Sequence, residues 1–344
     1  MKKILLIFFL SCYAVMARQA DAIAADRFNE VWLSPSKDEN GSMPLGNGDI
    51  GMNLWVEESG DICFYVSKSD SWGADGQLLK VTRLRVKLSP NPLSPGAKFR
   101  QELNLKNGEV VIDIKGDNPT RLTVWVDANN PVIQVQSKSK KALVMTVSQE
   151  PWRTKRETVD RFSMSHPYQK AGKRFPTLIL APDQIVKDLK NGIACYHHNE
   201  KSIGPDLGMK HQGLDKFPGY KDPLIHRTFG TFVRINKAIV KDAKTLQSKK
   251  ATSHVASIHV LTKQPCTVSA WLKAIKRQIA DIEKASVSSH YKAHKKWWHD
   301  FWQRSYVDVS VSLSAKAKHA IVPKTTKKGA NQNRDDALLV AKTY

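Results

Sequence analysis

The sequence predicts a mainly β protein, a large antiparallel β-sandwich (a supersandwich) followed by a long linker helix. Short runs of alternating apolar and polar residues, rich in β-branched side chains, recur from residue 28 to about residue 264, with Gly, Asn and Pro between them. Helical patterns do not alternate with these runs, which argues against a doubly wound parallel sheet. One helical pattern follows the last run.

The strand predictions rest on alternation between turn residues. The run 84–88 alternates strictly and ends in Ser89-Pro90-Asn91-Pro92, and Ser59-Gly60 forms a turn before the run that begins at Asp61. The predicted strands of this region are 61–66, 84–88, 110–114, 122–126, 132–136, 143–147, 231–235 and 254–260.

The helical pattern runs from residue 270 to about residue 302 without glycine or proline. Its aromatic face consists of Tyr291, His294, Trp298 and Trp302, with Trp297 and Phe301 as a second row. An apolar face of this size needs a cover, so we interpret it as packed against the sandwich or against a following segment. The alternative is an aromatic platform for sugar binding.

The first 25 residues have the pattern of a secretory signal peptide. Lys2 and Lys3 precede an apolar run at 4–17, and small-residue cleavage sites follow at 20–22 and 22–24. We therefore expect an exported protein, periplasmic or extracellular. Lipid anchoring at Cys12 is the alternative, although the apolar run continues beyond this cysteine.

The region after the helix changes character. Residues 307–313 alternate like one more strand, residues 315–333 are lysine-rich and linker-like, and residues 336–344 resemble the start of a helix. The predicted organisation is a signal peptide, a sandwich domain, a helical linker, and a second linker with the start of another domain. The bounds are 1–25, 26–265, 266–305 and 306–344.

The chain is strongly basic, with a formal net charge of +22. Such a surface attracts polyanions without specifying which, and for an exported protein these are acidic polysaccharides or anionic lipid headgroups. Nucleic acid is not expected, because zinc-finger spacing, ribonucleoprotein motifs and basic stripes interleaved with aromatics are all missing from the sequence. A lysine-rich solvated surface is the simpler interpretation.

Three cysteines lie beyond the signal peptide, at Cys63, Cys195 and Cys266. An odd and widely spaced set is not a disulfide framework. One bridge with a free thiol and three buried free thiols both fit the sequence.

The most distinctive motif is MPLGNGDIG at 43–51. Its glycines allow close backbone approach, and backbone N–H groups in such a loop can bind anions or hydroxyls. It is neither a Walker loop nor a dinucleotide fingerprint, so we expect no cofactor. The simplest interpretation is a tight turn that leads into a strand.

A second motif places Asp70 two residues before Trp72. Carbohydrate sites often combine such groups, because a sugar stacks on an aromatic ring while its hydroxyls bond to a carboxylate. The alternative is a polar turn with a partly buried indole. With the glycine-rich loop, this motif makes Asn47, Asp49 and Trp72 our candidate substrate-binding residues.

Catalytic and metal motifs are not evident. His197-His198 and the pair His290 and His294 have no H-E-x-x-H pattern and no third ligand, so we expect surface or packing histidines and no metal. The sequence contains no G-x-S-x-G elbow and no cysteine in a protease context. Its many carboxylates cannot be paired across a scissile bond from sequence alone.

The ordered set of short motifs resembles an uncharacterised bacterial family, domain of unknown function 5703. The resemblance runs from about Asn29 to Val307. The motifs are NEVW at 29–32, the loop at 43–51, YVSKSDSW at 65–72, RLRV at 83–86, FRQEL at 99–103, HHNEKS at 197–202, LIHRTFG at 224–230 and WWHDFW at 297–302.

More distantly, the 44–51 loop and the later tryptophan resemble the N-terminal region of glycoside hydrolase family 95, the α-L-fucosidases and their relatives. The resemblance implies a β-sandwich joined by a helical linker to an (α/α)6 barrel, where the catalytic carboxylates of an inverting reaction lie. This chain would then hold the sandwich and the linker but only the opening of the barrel. No catalytic residue is therefore assigned.

Three functions follow as hypotheses. The first is the non-catalytic N-terminal domain of an exported glycoside-hydrolase-like protein, with a C-terminal barrel and an oligo- or polysaccharide, acidic ones included, as partners. The second is a free-standing carbohydrate-binding protein, and the third is a basic polyanion-binding surface protein.

Overall fold

The computed structural model describes residues 25–159 and 178–305. The predicted signal peptide at 1–25, apart from Ala25, lies outside these ranges with Cys12, and so does everything from residue 306 onward, including the predicted strand 307–313 and the predicted linker. The described strands are β1 Glu30–Trp32, β2 Met43–Gly46, β3 Ile50–Val56, β4 Ile62–Lys68, β5 Thr82–Ser89, β6 Lys98–Asn104, β7 Glu109–Lys115, β8 Thr120–Val126, β9 Val132–Gln149, β10 Glu157–Val159, β11 Leu178–Leu180, β12 Gln184–Val186, β13 Ile193–His198, β14 Thr228–Ile235, β15 Ile239–Asp242, β16 Thr245–Gln247 and β17 Ala251–Lys263. The described α-helices are α1 Gly204–His211, α2 Val268–Ile282 and α3 Val287–Trp302.

The strands form two layers that confirm the predicted antiparallel fold. The large layer has the order β1-β6-β7-β8-β9-β17-β14-β13-β12, and the small layer has the order β2-β3-β4-β5-β9-β16-β15. Neighbouring strands pair antiparallel in both layers. A separate pair, β10 and β11, joins neither layer.

Strand β9 belongs to both layers. Its first part pairs with β8 and β17, as in Val135 opposite Ala256, and its last part pairs with β5 and β16, as in Val147 opposite Val86. The prediction of two separate strands at 132–136 and 143–147 was therefore wrong. The polar residues between them resemble a turn in sequence, but they continue the strand as it passes from one layer to the other.

One hydrophobic core lies between the layers. It joins small-layer residues such as Leu54 and Phe64 to large-layer residues such as Ile112 and Val124, all of them buried. In β5, Leu84 and its apolar neighbours at every second position are buried, while the residues between them are partly or fully exposed. This is the period expected of a strand with one face in a core.

The helical region forms two helices, so the prediction of one continuous helix from 270 to 302 was wrong. Thr267 caps the N-terminus of α2, where its side-chain oxygen accepts a hydrogen bond from Ala270 N, and Ser286 caps that of α3, where it accepts one from Ser289 N. The Ser286 side chain favours a break here, because its hydroxyl caps the first turn of a new helix and so stabilises a non-helical backbone at its own position. The break has no glycine or proline to reveal it in sequence.

α2 packs on the outer face of the large layer. Trp271 is fully buried, and with Ile275 and Ile279 it covers Phe232 of β14. The indole Nε1 of Trp271 also donates to Leu261 O at 2.9 Å. Within the described ranges, no helix combines the length and apolar character needed to cross a bilayer.

α3 crosses the loops at one end of the sandwich. Ala128 N donates to His294 Nδ1 at 3.2 Å, so the ring carries its proton on Nε2, which donates to Gly108 O at 3.2 Å. The ring of Tyr291 packs 4.8 Å from that of Trp125. The first half of the aromatic face thus packs against the sandwich as interpreted, whereas Trp297 stays 36% exposed.

Gly108 lies against Trp298 of this helix. Its φ of +62° is unfavourable for other residues, and a Cβ there would lie 2.0 Å from Trp298 Nε1. We expect Gly108→Ala to lower the free energy of unfolding by about 1–3 kcal/mol in urea denaturation, since it adds steric conflict to backbone strain. Gly96→Ala is the control, because Gly96 has φ of +82° but nothing within 4 Å. Equal losses of unfolding free energy in the two variants would show that steric conflict with Trp298 does not contribute to the effect.

A buried ion pair joins the segment after β9 to Asp183, the residue that precedes β12. Arg153 Nη2 lies 2.9 Å from Asp183 Oδ1, and the two side chains are only 8% and 2% exposed. His197 Nδ1 lies 3.1 Å from the same oxygen. Arg153 also donates to Lys80 O at 2.7 Å, so this charge is tied to two parts of the chain.

Candidate functional site

The candidate residues lie at the end of the sandwich that α3 crosses. Here the β2–β3 hairpin, the segment after β4 and the connection from β13 to β14 come together. We define the end surface as the four exposed or partly exposed residues Asp49, Ser69, Asp70 and Trp72, together with Lys68, the nearly buried cation that the two carboxylates share.

Asn47 positions the hairpin. Its Nδ2 donates to Asp127 O at 2.7 Å, and its Oδ1 accepts from Asp49 N at 3.0 Å and from Ile50 N at 2.7 Å. Its amide nitrogen and oxygen are thus both used within the protein, and the turn is tied to the β8–β9 loop of the other layer. Direct contact of Asn47 with a sugar stays a prediction.

Asp49 and Asp70 share one ammonium group. Lys68 Nζ lies 2.8 Å from Oδ1 of each carboxylate. The lysine side chain is 9% exposed, whereas the carboxylates are 44% and 43% exposed. Ser69 Oγ adds a donor to Asp49 Oδ1 at 2.8 Å. The arrangement therefore holds two solvent-facing carboxylates in fixed positions on a nearly buried cation.

The loop that carries Trp72 is tied to the β13–β14 connection. Asn199 Nδ2 donates to Trp72 O at 3.0 Å, and Arg227 Nη1 donates to Asp70 O at 2.8 Å. Trp72 itself is half-buried and forms an isolated bridge with Leu78. The indole and the Asp70 carboxylate thus belong to one anchored loop, and Lys68 connects this loop to Asp49 of the β2–β3 hairpin.

The sequence interpretation missed Lys68, Asn199 and Arg227 as parts of this site. Lys68 is 19 residues from Asp49, and only the pairing of Ile50 with Lys68 across β3 and β4 brings them together. The same strand register places Asp49 opposite Ser69, next to Lys68. The contacts of Asn199 and Arg227 depend on loop conformations that no local pattern reveals.

A family model matches residues 31–307, which is more than half of the chain. It describes the N-terminal part of a domain of unknown function, DUF5703. The chain belongs to the DUF5703 family. This agrees with the resemblance drawn from the short motifs.

The DUF5703 chain has a low similarity to one solved structure. A solved structure described as "Putative kojibiose phosphorylase from human microbiome" is similar over 80% of this chain and 39% of its own, with 9% identity and a TM-score of 0.40. The chain thus spans less than half the length of that structure. A search of curated proteins found no match.

The histidines of the DUF5703 domain make packing contacts. His290 Nε2 lies 2.8 Å from Ile282 O and its Nδ1 lies 3.2 Å from Asn130 Nδ2, while His198 Nδ1 lies 2.7 Å from Thr228 Oγ1. Burial, with His226 nearby, lowers the pKa of His198. Among the described residues, no three His, Cys, Asp or Glu side chains come together to hold a metal ion.

The three cysteines of the domain are buried and unbridged. Burial raises the pKa of both Cys63 and Cys195, which keeps these thiols protonated at neutral pH. A protonated, buried thiol is a poor nucleophile. Of the two arrangements left open by the sequence, the structure has three free thiols.

Proposed function

We propose that this chain is the N-terminal, non-catalytic sandwich domain of an exported glycoside-hydrolase-like protein that acts in polysaccharide breakdown. One observation carries the proposal: two exposed carboxylates, Asp49 and Asp70, are fixed by the nearly buried Lys68 in the loop region of Trp72. The resemblance of the sequence to the sandwich of family 95 glycosidases, and the signal-like residues 1–25, support it further.

The fixed carboxylates suit hydroxyl groups. Lys68 contacts Oδ1 of each, and within the described part of the chain no side chain bonds to Oδ2 of either. These oxygens can accept hydrogen bonds from adjacent sugar hydroxyls without first being ordered, which reduces the entropic cost of binding. The half-buried indole of Trp72 offers an apolar surface of the kind on which a sugar ring packs.

The same geometry favours binding over hydrolysis. Glycoside hydrolysis needs a protonated carboxylic acid and a separate carboxylate on either side of the scissile bond. Asp49 and Asp70 instead contact the same cation and lie on an open surface. We therefore place the catalytic carboxylates in another part of the full-length protein.

Binding by the full chain tests the proposal. We expect retardation in native affinity gels that contain soluble xyloglucan, arabinoxylan, pectin or fucoidan, with at least one of these polysaccharides bound. The variants Asp49→Asn, Asp70→Asn and Trp72→Ala should weaken binding by about 5–50-fold each, in line with the loss of one or two strong contacts.

Matched controls make the result specific. Glu58→Gln removes an exposed carboxylate at the opposite end of β3 and β4, and Trp152→Ala removes a tryptophan that is 43% exposed. Neither should change the retardation. Equal weakening by the controls, or no effect of the three end-surface variants, would contradict the proposed site. Binding that disappears in moderate salt would favour the polyanion-binding alternative, which the charge of +22 motivates.

A further inference from the structure

A groove of about 600 Å³ lies on the outer face of the large layer, between β17 and the connection from α2 to α3. Small-molecule sites typically measure about 300–1,000 Å³. None of the residues that line this groove belongs to the end surface. A ligand in this groove would therefore bind independently of the end surface.

The floor of the groove contains a buried histidine without partners. His259 is 1% exposed, and within the described ranges neither of its ring nitrogens has a hydrogen-bond partner. Burying such a group without partners costs about 1–3 kcal/mol. A molecule in the groove that displaced the side chains covering the ring would supply the missing partners, and this would explain why an otherwise apolar position beside Phe232 and Val132 holds a histidine.

The ionisation of His259 fits a hydroxyl group. Burial, and then the nearby Arg234, lower its pKa to about 3, so the ring is neutral at pH 7. A neutral imidazole has one donor and one acceptor nitrogen, and a hydroxyl group can pair with either. Gln134, also 1% exposed, lines the groove with its Oε1 held by Ser257 Oγ at 2.8 Å.

The walls of the groove are positively charged. Arg234, Lys237 and Lys249 face a single lining carboxylate, Glu283, which pairs with Arg234 at 2.7 Å. Lys237 and Lys249 are exposed and add positive charge at the mouth. A concave site with such an excess raises the local concentration of small anions.

We propose that this groove binds a monosaccharide-sized carboxylate that carries hydroxyl groups, such as a uronic acid. His259 and Gln134 on the floor bond to its hydroxyls, and Lys249 and Lys237 at the mouth attract its carboxylate. The unpartnered buried histidine and the cationic mouth together select this class over neutral sugars and over simple anions.

Calorimetric titration of the full chain with sodium D-glucuronate, up to about 20 mM, tests the site. We expect saturable binding, at least about tenfold tighter than that of D-glucose, which has a hydroxymethyl group in place of the carboxylate. Lys249→Gln should weaken it about 3–10-fold, whereas Lys250→Gln, the adjacent exposed lysine outside the groove, should leave it unchanged.

His259→Leu separates a binding role from a structural one. Leucine has a similar volume and no polar atoms, so the variant should unfold at the same or a higher temperature. We expect it to weaken glucuronate binding at least tenfold. A lower melting temperature would show that His259 has partners that stabilise the fold, and would overturn its assigned role.

Three outcomes would overturn the proposal. They are binding of glucuronate that does not saturate, equal affinity for glucose and glucuronate, and complete displacement of glucuronate by equimolar inorganic phosphate. The last result would mean that the groove recognises negative charge alone. The variants of the end surface should leave glucuronate binding unchanged, so failure here and failure of the proposed function are distinguishable.

Discussion

Asp183→Ala is expected to lower the free energy of unfolding by about 3–5 kcal/mol, because it leaves the charge of Arg153 buried without its partner. Arg153 Nε and Nη2 lie 3.0 and 2.9 Å from Asp183 Oδ1, and the two side chains are 8% and 2% exposed. The variant also removes the acceptor of His197. Urea denaturation followed by tryptophan fluorescence measures the loss.

The exposed pair of Arg156 and Glu200 provides the comparison, since its atoms are 3.0 Å apart but its side chains are 59% and 46% exposed. Glu200→Ala should cost at most about 1 kcal/mol. The double variant Arg153→Met with Asp183→Leu should recover much of the loss, because it removes both buried charges. Similar losses of unfolding free energy for Asp183→Ala and Glu200→Ala would contradict the idea that burial makes the ion pair of Arg153 and Asp183 more important for stability.

Mild acid is expected to destabilise the fold through two buried histidines. Burial lowers the pKa of His259 to about 3 and that of His294 to about 4, from an ordinary value of 6.5. Between pH 6.5 and the lowered pKa, the unfolded state binds a proton that the folded ring does not, so each ring destabilises the fold increasingly as the pH falls through this range. The loss is at most about 1.4 kcal/mol per pH unit for each ring. His198 acts in the same direction.

Melting temperatures between pH 7.5 and pH 4.5 test this expectation. The carboxyls of Glu57, Glu102 and Asp113 have pKa values below their ordinary 4.5 and 3.8, so most of their effect on stability lies below this window. The wild-type protein should lose stability across it, and His259→Leu should flatten the slope. A constant melting temperature down to pH 4.5 in the wild-type protein would be incompatible with neutral buried histidines.

The sequence predicted the strands well wherever their alternation followed a single core face, as in 84–88 within β5 and 110–114 within β7. It failed at two transitions. The polar stretch inside β9 has the composition of a turn although the backbone stays paired, and the start of α3 rests on one serine cap. Both depend on neighbours distant in sequence, which local patterns do not contain.

The candidate site could be predicted only in its local parts. Asp49 and Trp72 stood out because glycine and aromatic residues mark their loops, and the tight-turn interpretation of Asn47 agrees with its contacts. Lys68, which connects both carboxylates, looks in sequence like any strand-end lysine. The groove around His259 left no signal either, since a histidine in an alternating strand does not show whether its nitrogens have partners.

The shared strand β9 also constrains how the chain can fold. The partners of its first part include β17, which ends at Lys263, so the centre of the large layer cannot close until that residue is available. The small layer needs β16 on the same strand, about a hundred positions downstream of its partner residues. Loop closure on this scale is slow, and it leaves apolar strand edges unpaired meanwhile. The nascent chain should therefore rely on chaperones until both layers close around β9, in nearly a single step.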